Sequence, residues 1–166
     1  FGDYNPAGRL PLTYYKSLDE LPPFDDYDIT KGRTYKYFKG DVLYPFGYGL
    51  SYSSFKYSDL QVKDGAGEVT VSFLLKNTGK RNGDEVAQVY VRIPETGGIV
   101  PLKELKGFRR VPLKSGESRR VEIKLSKEQL RYWDVEKGQF VVPKGAFDIM
   151  VGASSKDIRL QTVIDL

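Results

Sequence analysis

Three carboxylates within four residues, Asp25, Asp26 and Asp28, are the densest acidic feature of the sequence. A catalytic acid/base pair must lie on opposite sides of the bond it breaks, roughly 5–10 Å apart, and neighbouring loop residues rarely reach that geometry. Clustered oxygen ligands also suit calcium, but the spacing is not that of an EF-hand loop. The pattern therefore favours solvated loop acids, with a calcium site as the alternative.

Histidine and cysteine are both missing from the 166 residues. Their absence excludes a Ser-His-Asp triad, a Cys-His dyad, disulfides, and zinc sites built on thiolates. Chemistry carried out by this chain alone would have to use carboxylates, lysine or tyrosine. We expect neither a metal nor a cofactor.

Aromatic residues alternate with glycines in the segment 44–52, which reads YPFGYGLSY. Glycine permits close backbone packing, and the rings offer large apolar faces. One interpretation is a platform on which sugar rings stack. The spacing favours the other, an aromatic seam where the chain threads between packed surfaces.

Two further aromatic features have alternative interpretations. Residues 32–38 interleave basic and aromatic side chains, a pattern that single-stranded nucleic acid binds. The surrounding region is net negative and lacks a nucleic-acid-binding motif, so we expect no nucleic-acid partner.

The single tryptophan, Trp133, either stacks on carbohydrate or, as the pattern favours, packs in a core or seam.

Composition divides the chain near residue 54. Residues 1–54 hold 13 of the 22 aromatic side chains and five of the nine prolines, with a net charge of −1. Proline interrupts long helices, so only residues 16–21 are predicted to form a short helical turn, capped by Ser17. This aromatic-rich, mostly irregular segment needs another surface on which to bury its rings.

Residues 55–166, with a net charge of +5, show period-2 alternation of apolar and polar side chains. Such alternation indicates antiparallel strands with one buried face. About seven short strands separated by Gly-containing turns predict an all-β fold, a β-sandwich of immunoglobulin or fibronectin type. The predicted inward residues include Val69, Val71, Phe73, Leu75, Ala87, Val89, Val91, Ile93, Val121, Ile123, Leu125, Phe147, Ile149, Val151, Ile158, Leu160, Thr162 and Ile164.

Several segments in this order resemble the C-terminal end of the family 3 glycoside hydrolases, and the resemblance covers essentially the whole chain. The matching segments are NPAGRLP at 5–11, GRTYKYF at 32–38, LYPFGYGLSY at 43–52, LKNTG at 75–79, GDEVAQVYV at 83–91, LKGF at 105–108 and FDIMVGASS at 147–155.

The resemblance implies a retaining β-glucosidase or β-xylosidase as the parent protein. In that family the nucleophile lies on a barrel domain and the acid/base on an α/β domain, and both precede the matching segments. No catalytic residue carries over, so we expect this chain alone to be inactive. Residues 1–54 then correspond to the tail of the α/β domain and its linker, and 55–166 to a fibronectin type III-like domain.

The resemblance also implies the partners, namely the catalytic barrel and α/β domains of the parent chain. Three functions are considered: a structural module that stabilises those domains, a polysaccharide-binding module, or an independent β-sandwich interaction domain. For the first, the expected domain-interface residues are Arg33, Tyr35, Tyr37, Tyr44, Phe46, Tyr48 and Tyr52.

The expected surroundings follow from two features. The chain has no apolar run long enough to span a membrane, and it begins at Phe1 without a signal peptide or initiator Met. We therefore expect a piece of a longer protein without a membrane partner. Export of polysaccharide-degrading relatives favours a periplasmic or secreted location.

Overall fold

The computed structural model describes residues 2–166, most of them in antiparallel strands. Because branched and aromatic side chains pack well on a pleated surface, the alternating segments form long strands. The strands are β1 (Tyr14–Tyr15), β2 (Val42–Tyr44), β3 (Phe55–Asp64), β4 (Glu68–Asn77), β5 (Gly83–Arg92), β6 (Glu104–Leu113), β7 (Ser118–Ser126), β8 (Tyr132–Asp134), β9 (Gln139–Val141), β10 (Ala146–Gly152) and β11 (Ile158–Asp165). The helical elements are the α-helix α1 (Thr34–Tyr37) and 3₁₀ helices at Leu18–Glu20, Ile29–Lys31 and Lys127–Leu130.

Seven long strands form two sheets that enclose one core, which confirms the predicted sandwich. One sheet has the order β11-β10-β5-β6 and the other β3-β4-β7. Their inner faces supply one hydrophobic cluster that includes Phe73 of β4, Val89 of β5 and Phe147 of β10, each fully buried. Strands β8 and β9 form a separate short hairpin.

The predicted inward residues of β4, β5, β7 and β10 are buried, so the period-2 pattern identified the core faces correctly. The four predicted on β11 are only half-buried. Strand β11 lies at the edge of its sheet, where one flank has no neighbouring strand to cover side chains.

The segment before β3 is more structured than its composition suggested. The predicted turn at 16–21 is a 3₁₀ helix, and the Ser17 hydroxyl accepts a hydrogen bond from the Asp19 N–H. In addition, β1 pairs with β2, and a second 3₁₀ helix leads into α1. The β1–β2 pairing joins residues almost thirty positions apart, and local propensity carries no signal for such a contact.

Asn5 fastens the beginning of the chain to the sandwich. Its side-chain oxygen accepts from the Ser51 hydroxyl and the Tyr52 N–H, at 2.9 and 2.8 Å. Its amide nitrogen donates to Ser53 and to the Asn82 carbonyl. All the polar capacity of one amide is thus used to hold three segments together.

Candidate functional site

The predicted interface residues divide between the inner and outer sides of the aromatic segment. Tyr35 and Phe46 lie on the inner side, with ring centroids 4.3 Å apart and nearly parallel planes. Tyr35 also meets the buried Tyr90 of β5 edge to face, and its hydroxyl accepts from the Leu105 N–H of β6. This stack attaches the segment before β3 to the β5–β6 sheet, and burial raises the pKa of the Tyr35 phenol.

An ion-pair network reinforces the same attachment. The Lys36 ammonium of α1 lies 2.5 Å from Glu104 of β6, and Lys106 lies 2.9 Å from the same carboxylate. Burial alone would raise the pKa of Glu104, but the two ammonium groups outweigh burial and hold this pKa below its ordinary value. The carboxylate therefore stays charged and joins α1 to the sheet.

Tyr44 and Tyr48 lie on the outer side and line an open, mostly apolar groove with a volume of about 690 Å³. Their rings are 5.3 Å apart, and Tyr14 meets Tyr44 edge to face at 6.2 Å. Leu10 and Leu50 complete the apolar lining, and Leu50 is 68% exposed. Contiguous exposed apolar surface of this kind marks a contact site for another molecule or domain.

The remaining three predicted residues have separate environments. The Arg33 guanidinium donates to the carbonyls of Pro22, Pro23 and Asp26 and so holds the acidic loop in place. Tyr37 is half-buried, and burial raises the pKa of its phenol. Tyr52 is mostly exposed, with the Arg81 guanidinium 5.8 Å from its ring centroid.

A buried polar cluster, which the sequence interpretation missed, lies beside the groove. Arg9 pairs with Glu85 of β5 at 3.0 Å, and the exposed fractions of the two side chains are 12% and 4%. The Tyr57 hydroxyl of β3 donates to the other carboxylate oxygen at 2.7 Å. The sequence did contain a signal for this cluster. Glu85 shares the inward register of Ala87 and Val89 in β5 and is the one charged residue on that face of the strand.

Burial raises the pKa of the Glu85 carboxyl, although the hydrogen bond from Tyr57 and the Arg9 charge oppose this rise. Burial also raises the pKa of the Tyr57 phenol far above its ordinary value. The cluster fixes Arg9 to the sandwich. A second acid, Asp157, lines the same polar cavity, but both of its carboxylate oxygens accept hydrogen bonds from Arg159. This geometry suits structural anchoring rather than acid/base catalysis.

The acidic loop has the conformation of a capped turn. Asp28 caps the helix at Ile29–Lys31 by accepting from the Thr30 N–H, and Asp26 accepts from the Asp28 N–H and pairs with Lys31 at 2.7 Å. Within residues 2–166, no group of three or more acidic side chains is arranged to hold a metal ion. The local hydrogen bonds and the ion pair with Lys31 account for the positions of Asp26 and Asp28.

Trp133 is 52% exposed on the β8–β9 hairpin, so the expected core or seam position is not observed within the described chain. Its ring meets that of Phe140 at a centroid distance of 5.2 Å and an angle of 74°. The hairpin lies outside the two main sheets, and its residue Tyr132 packs against the core, so the next residue along the strand points outward. The two rings are nearly perpendicular and do not form a flat platform.

Two family models match the chain: the glycosyl hydrolase family 3 C-terminal domain over residues 1–52, and the fibronectin type III-like domain over 85–155. A xylan 1,4-beta-xylosidase of Xylanibacter ruminicola is 43% identical over 98% of this chain, which spans 19% of that relative. A periplasmic beta-glucosidase of Salmonella typhimurium is 34% identical over 96% of the chain, which spans 23% of it.

The fold is also similar to that of a beta-D-glucoside glucohydrolase from Trichoderma reesei, with a TM-score of 0.89 and 33% identity. The similarity covers 99% of this chain and 27% of that structure. Among residues 2–166, no helix has the length and hydropathy needed to cross a membrane.

Proposed function

Since the chain corresponds to the C-terminal part of the family 3 glycoside hydrolases, including their fibronectin type III-like domain, we propose that it is a non-catalytic module that stabilises the catalytic domains of a retaining β-glycosidase. The observation that carries this proposal is the exposed apolar groove lined by Tyr44, Tyr48 and Leu50. It lies on the residues that match the family 3 C-terminal domain model. A catalytic domain of the same parent chain is the occupant we propose.

The proposed division is a tail at 1–54 and a sandwich at 55–166. Buried contacts between the two parts, Tyr35 on Tyr90 and Arg9 on Glu85, favour transmission of stability from one to the other. A domain that docks on the groove would then be supported by the whole sandwich core. The same contacts disfavour an independent interaction domain, which has no need of such a tail.

The parent's substrate is a β-glucoside or β-xyloside with a terminal non-reducing sugar, in line with the names of the two relatives. The proposed partners are the parent's barrel and α/β domains. A periplasmic or secreted location is proposed because one relative is named as periplasmic.

Deletion of residues 55–166 from the parent enzyme tests the supporting role. We expect a lower melting temperature and a lower soluble yield, because the groove segment loses the sheet against which it packs. An unchanged melting temperature together with unchanged activity would contradict the proposal.

The absence of catalysis is tested on the 166-residue chain itself. Incubation with aryl β-glucosides and β-xylosides should release no aglycone above the buffer rate. Saturable turnover that survives repurification would overturn the non-catalytic assignment.

Polysaccharide binding is the second candidate, because Trp133 and Phe140 are both exposed. Affinity electrophoresis on xylan and β-glucan decides it, with Trp133→Ala compared to the unaltered chain. Retardation that Trp133→Ala abolishes would establish a binding module. Unretarded migration leaves the supporting role as the function.

A further inference from the structure

A cavity of about 280 Å³ lies between the segment around Phe38 and the loops that precede β6 and follow β10. Its charged lining consists of three lysines from three separate segments, Lys39, Lys103 and Lys156. Within the described chain, no carboxylate lies at ion-pair distance from any of these three lysines. Seven other lysines each form an ion pair with an Asp or Glu side chain. The cavity is therefore a local concentration of positive charge.

Two of the ammonium groups are held in place by backbone carbonyls. Lys103 donates to the Ser155 carbonyl at 2.9 Å, and Lys156 donates to the Gly40 carbonyl at 3.3 Å. Each ammonium has three donors, so further donors remain on both. Burial lowers the pKa of Lys103, and the neighbouring Lys156 charge lowers it further. Unpaired like charges that are fixed close together favour the binding of an anion.

Thr13 supplies a second, independent sign of an unfilled polar site. It lines the same cavity, and its buried hydroxyl has no hydrogen-bond partner among residues 2–166. Buried hydroxyls are nearly always paired, so an unpaired one calls for a partner. The other walls are mostly apolar, including Phe38 and Leu102, and their remaining polar side chains are the neutral hydroxyls of Tyr35 and Ser155.

We propose that this cavity binds a small tetrahedral oxyanion of the phosphate or sulfate class, either free or as the ester group of a sugar. Lysine binds phosphate as a compact point charge with several donors. The cavity lies just below the usual 300–1,000 Å³ range of ligand pockets, so the ligand is small. The anion would neutralise the lysines and add a bond between the tail and the sandwich.

Isothermal titration calorimetry on the full 166-residue chain tests this site at constant ionic strength set with NaCl. The probes are inorganic phosphate, sulfate, glucose 6-phosphate and neutral glucose. We expect saturable binding of the anions and none of glucose. Tighter binding of glucose 6-phosphate than of phosphate identifies a sugar ester, and equal binding identifies the free anion.

Variants assign the binding to the cavity. Lys39→Gln and Lys103→Gln should each weaken phosphate binding about tenfold, the usual effect of losing one charge-assisted hydrogen bond. Lys63→Gln, an exposed residue of β3 on the other sheet, is the matched control and should bind like the unaltered chain. Because Lys39 is exposed, its variant is expected to fold even if Lys103→Gln does not. Absence of saturable binding, or equal binding by Lys39→Gln, would overturn the proposal.

Discussion

The buried Arg9–Glu85–Tyr57 cluster is the feature whose individual residues matter most. Removing one partner of a buried pair leaves the other charge uncompensated, at a cost of about 3–5 kcal/mol. The Arg9 Nε atom already lacks a partner within residues 2–166, which makes Arg9 more dependent on the carboxylate. The guanidinium is therefore held mainly by Glu85.

Arg9→Met should lower the free energy of unfolding of the chain by about 3 kcal/mol, because the Glu85 carboxylate stays buried without its counter-charge. Urea unfolding followed by circular dichroism measures the change. Glu122→Gln, an exposed residue of β7, is the control and should stay within about 0.5 kcal/mol of the unaltered chain. Equal stability of the two variants would mean that the buried pair does not anchor the tail.

Glu85 and Glu104 should respond to acid in opposite directions. The pKa of Glu104 is lowered, so its contribution to stability is present above the ordinary glutamate pKa of about 4.3 and is lost as the pH falls through the lowered value. The pKa of Glu85 is raised, so on acidification the folded state binds the proton at a higher pH than the unfolded state does. This group therefore stabilises the fold as the pH falls through the raised value.

The pH dependence can be measured by urea unfolding between about pH 6 and about pH 3. The stability of the unaltered chain relative to Glu104→Gln should shrink on acidification, and its stability relative to Glu85→Gln should grow. Parallel changes for the two variants would show that one of the two pKa shifts has the wrong sign.

At the scale of elements, close backbone contacts attach the aromatic segment to its neighbours. A Cβ atom at Gly49 would lie 2.1 Å from the Gly8 carbonyl oxygen, a backbone atom that has little room to move. The Leu10 N–H donates to the Tyr48 carbonyl, and the Gly47 N–H donates to the Leu10 carbonyl. The groove residues are thus positioned by a close approach of two backbone segments, which only a glycine at position 49 permits.

Gly49→Ala should therefore destabilise the chain by about 2–3 kcal/mol through overpacking and should expose the segment 1–54 to protease. Limited proteolysis and thermal unfolding measure the two effects. Gly67→Ala is the matched control, since a Cβ atom there meets nothing within 4 Å. Equal protease resistance of the two variants would contradict the proposed role of the close backbone approach at Gly49.

The sequence was sufficient to predict the elements that depend on periodicity. Alternation of apolar and polar residues identified the inward faces of β4, β5, β7 and β10, because a strand with one buried face has an apolar residue at every second position. It did not predict the β1–β2 pairing or the Arg9–Glu85 contact, which join residues about 30 and 76 positions apart. The core position considered for Trp133 is not observed, because exposure depends on what lies above the β8–β9 hairpin, and periodicity carries no information about that.

For the expected interface residues, the sequence singled out one aromatic segment but did not resolve its two faces. Tyr35 and Phe46 contact the sheet, while Tyr44 and Tyr48 face the groove. Short irregular segments have no fixed period from which a side-chain direction can be read. The role of these residues at a domain interface stays a prediction.

At the scale of the whole molecule, the chain combines a tightly packed sandwich with an apolar groove that is open on its outer side. The sandwich core is fully buried, whereas Leu50 and Tyr44 remain 68% and 42% exposed. Burial of such side chains stabilises a contact by about 25 cal/mol per Å² of apolar surface removed from water. The groove is thus the surface that the proposed supporting role assigns to contact with the rest of the parent enzyme.

The most direct measurement of this role is the thermal inactivation of the full parent enzyme carrying Tyr44→Ser and Leu50→Ser. The matched control carries Val135→Ser and Phe140→Ser, two exposed residues that do not line the groove. We predict that the groove variant inactivates at a temperature several degrees lower while its kcat/KM at low temperature is unchanged. The same pair of substitutions in the 166-residue chain should lower its unfolding temperature less than that of the parent enzyme, because only the ring contacts of Tyr44 with Tyr14 and Tyr48 are lost there. A groove variant that inactivates at the same temperature as the control would show that the groove does not stabilise the parent enzyme.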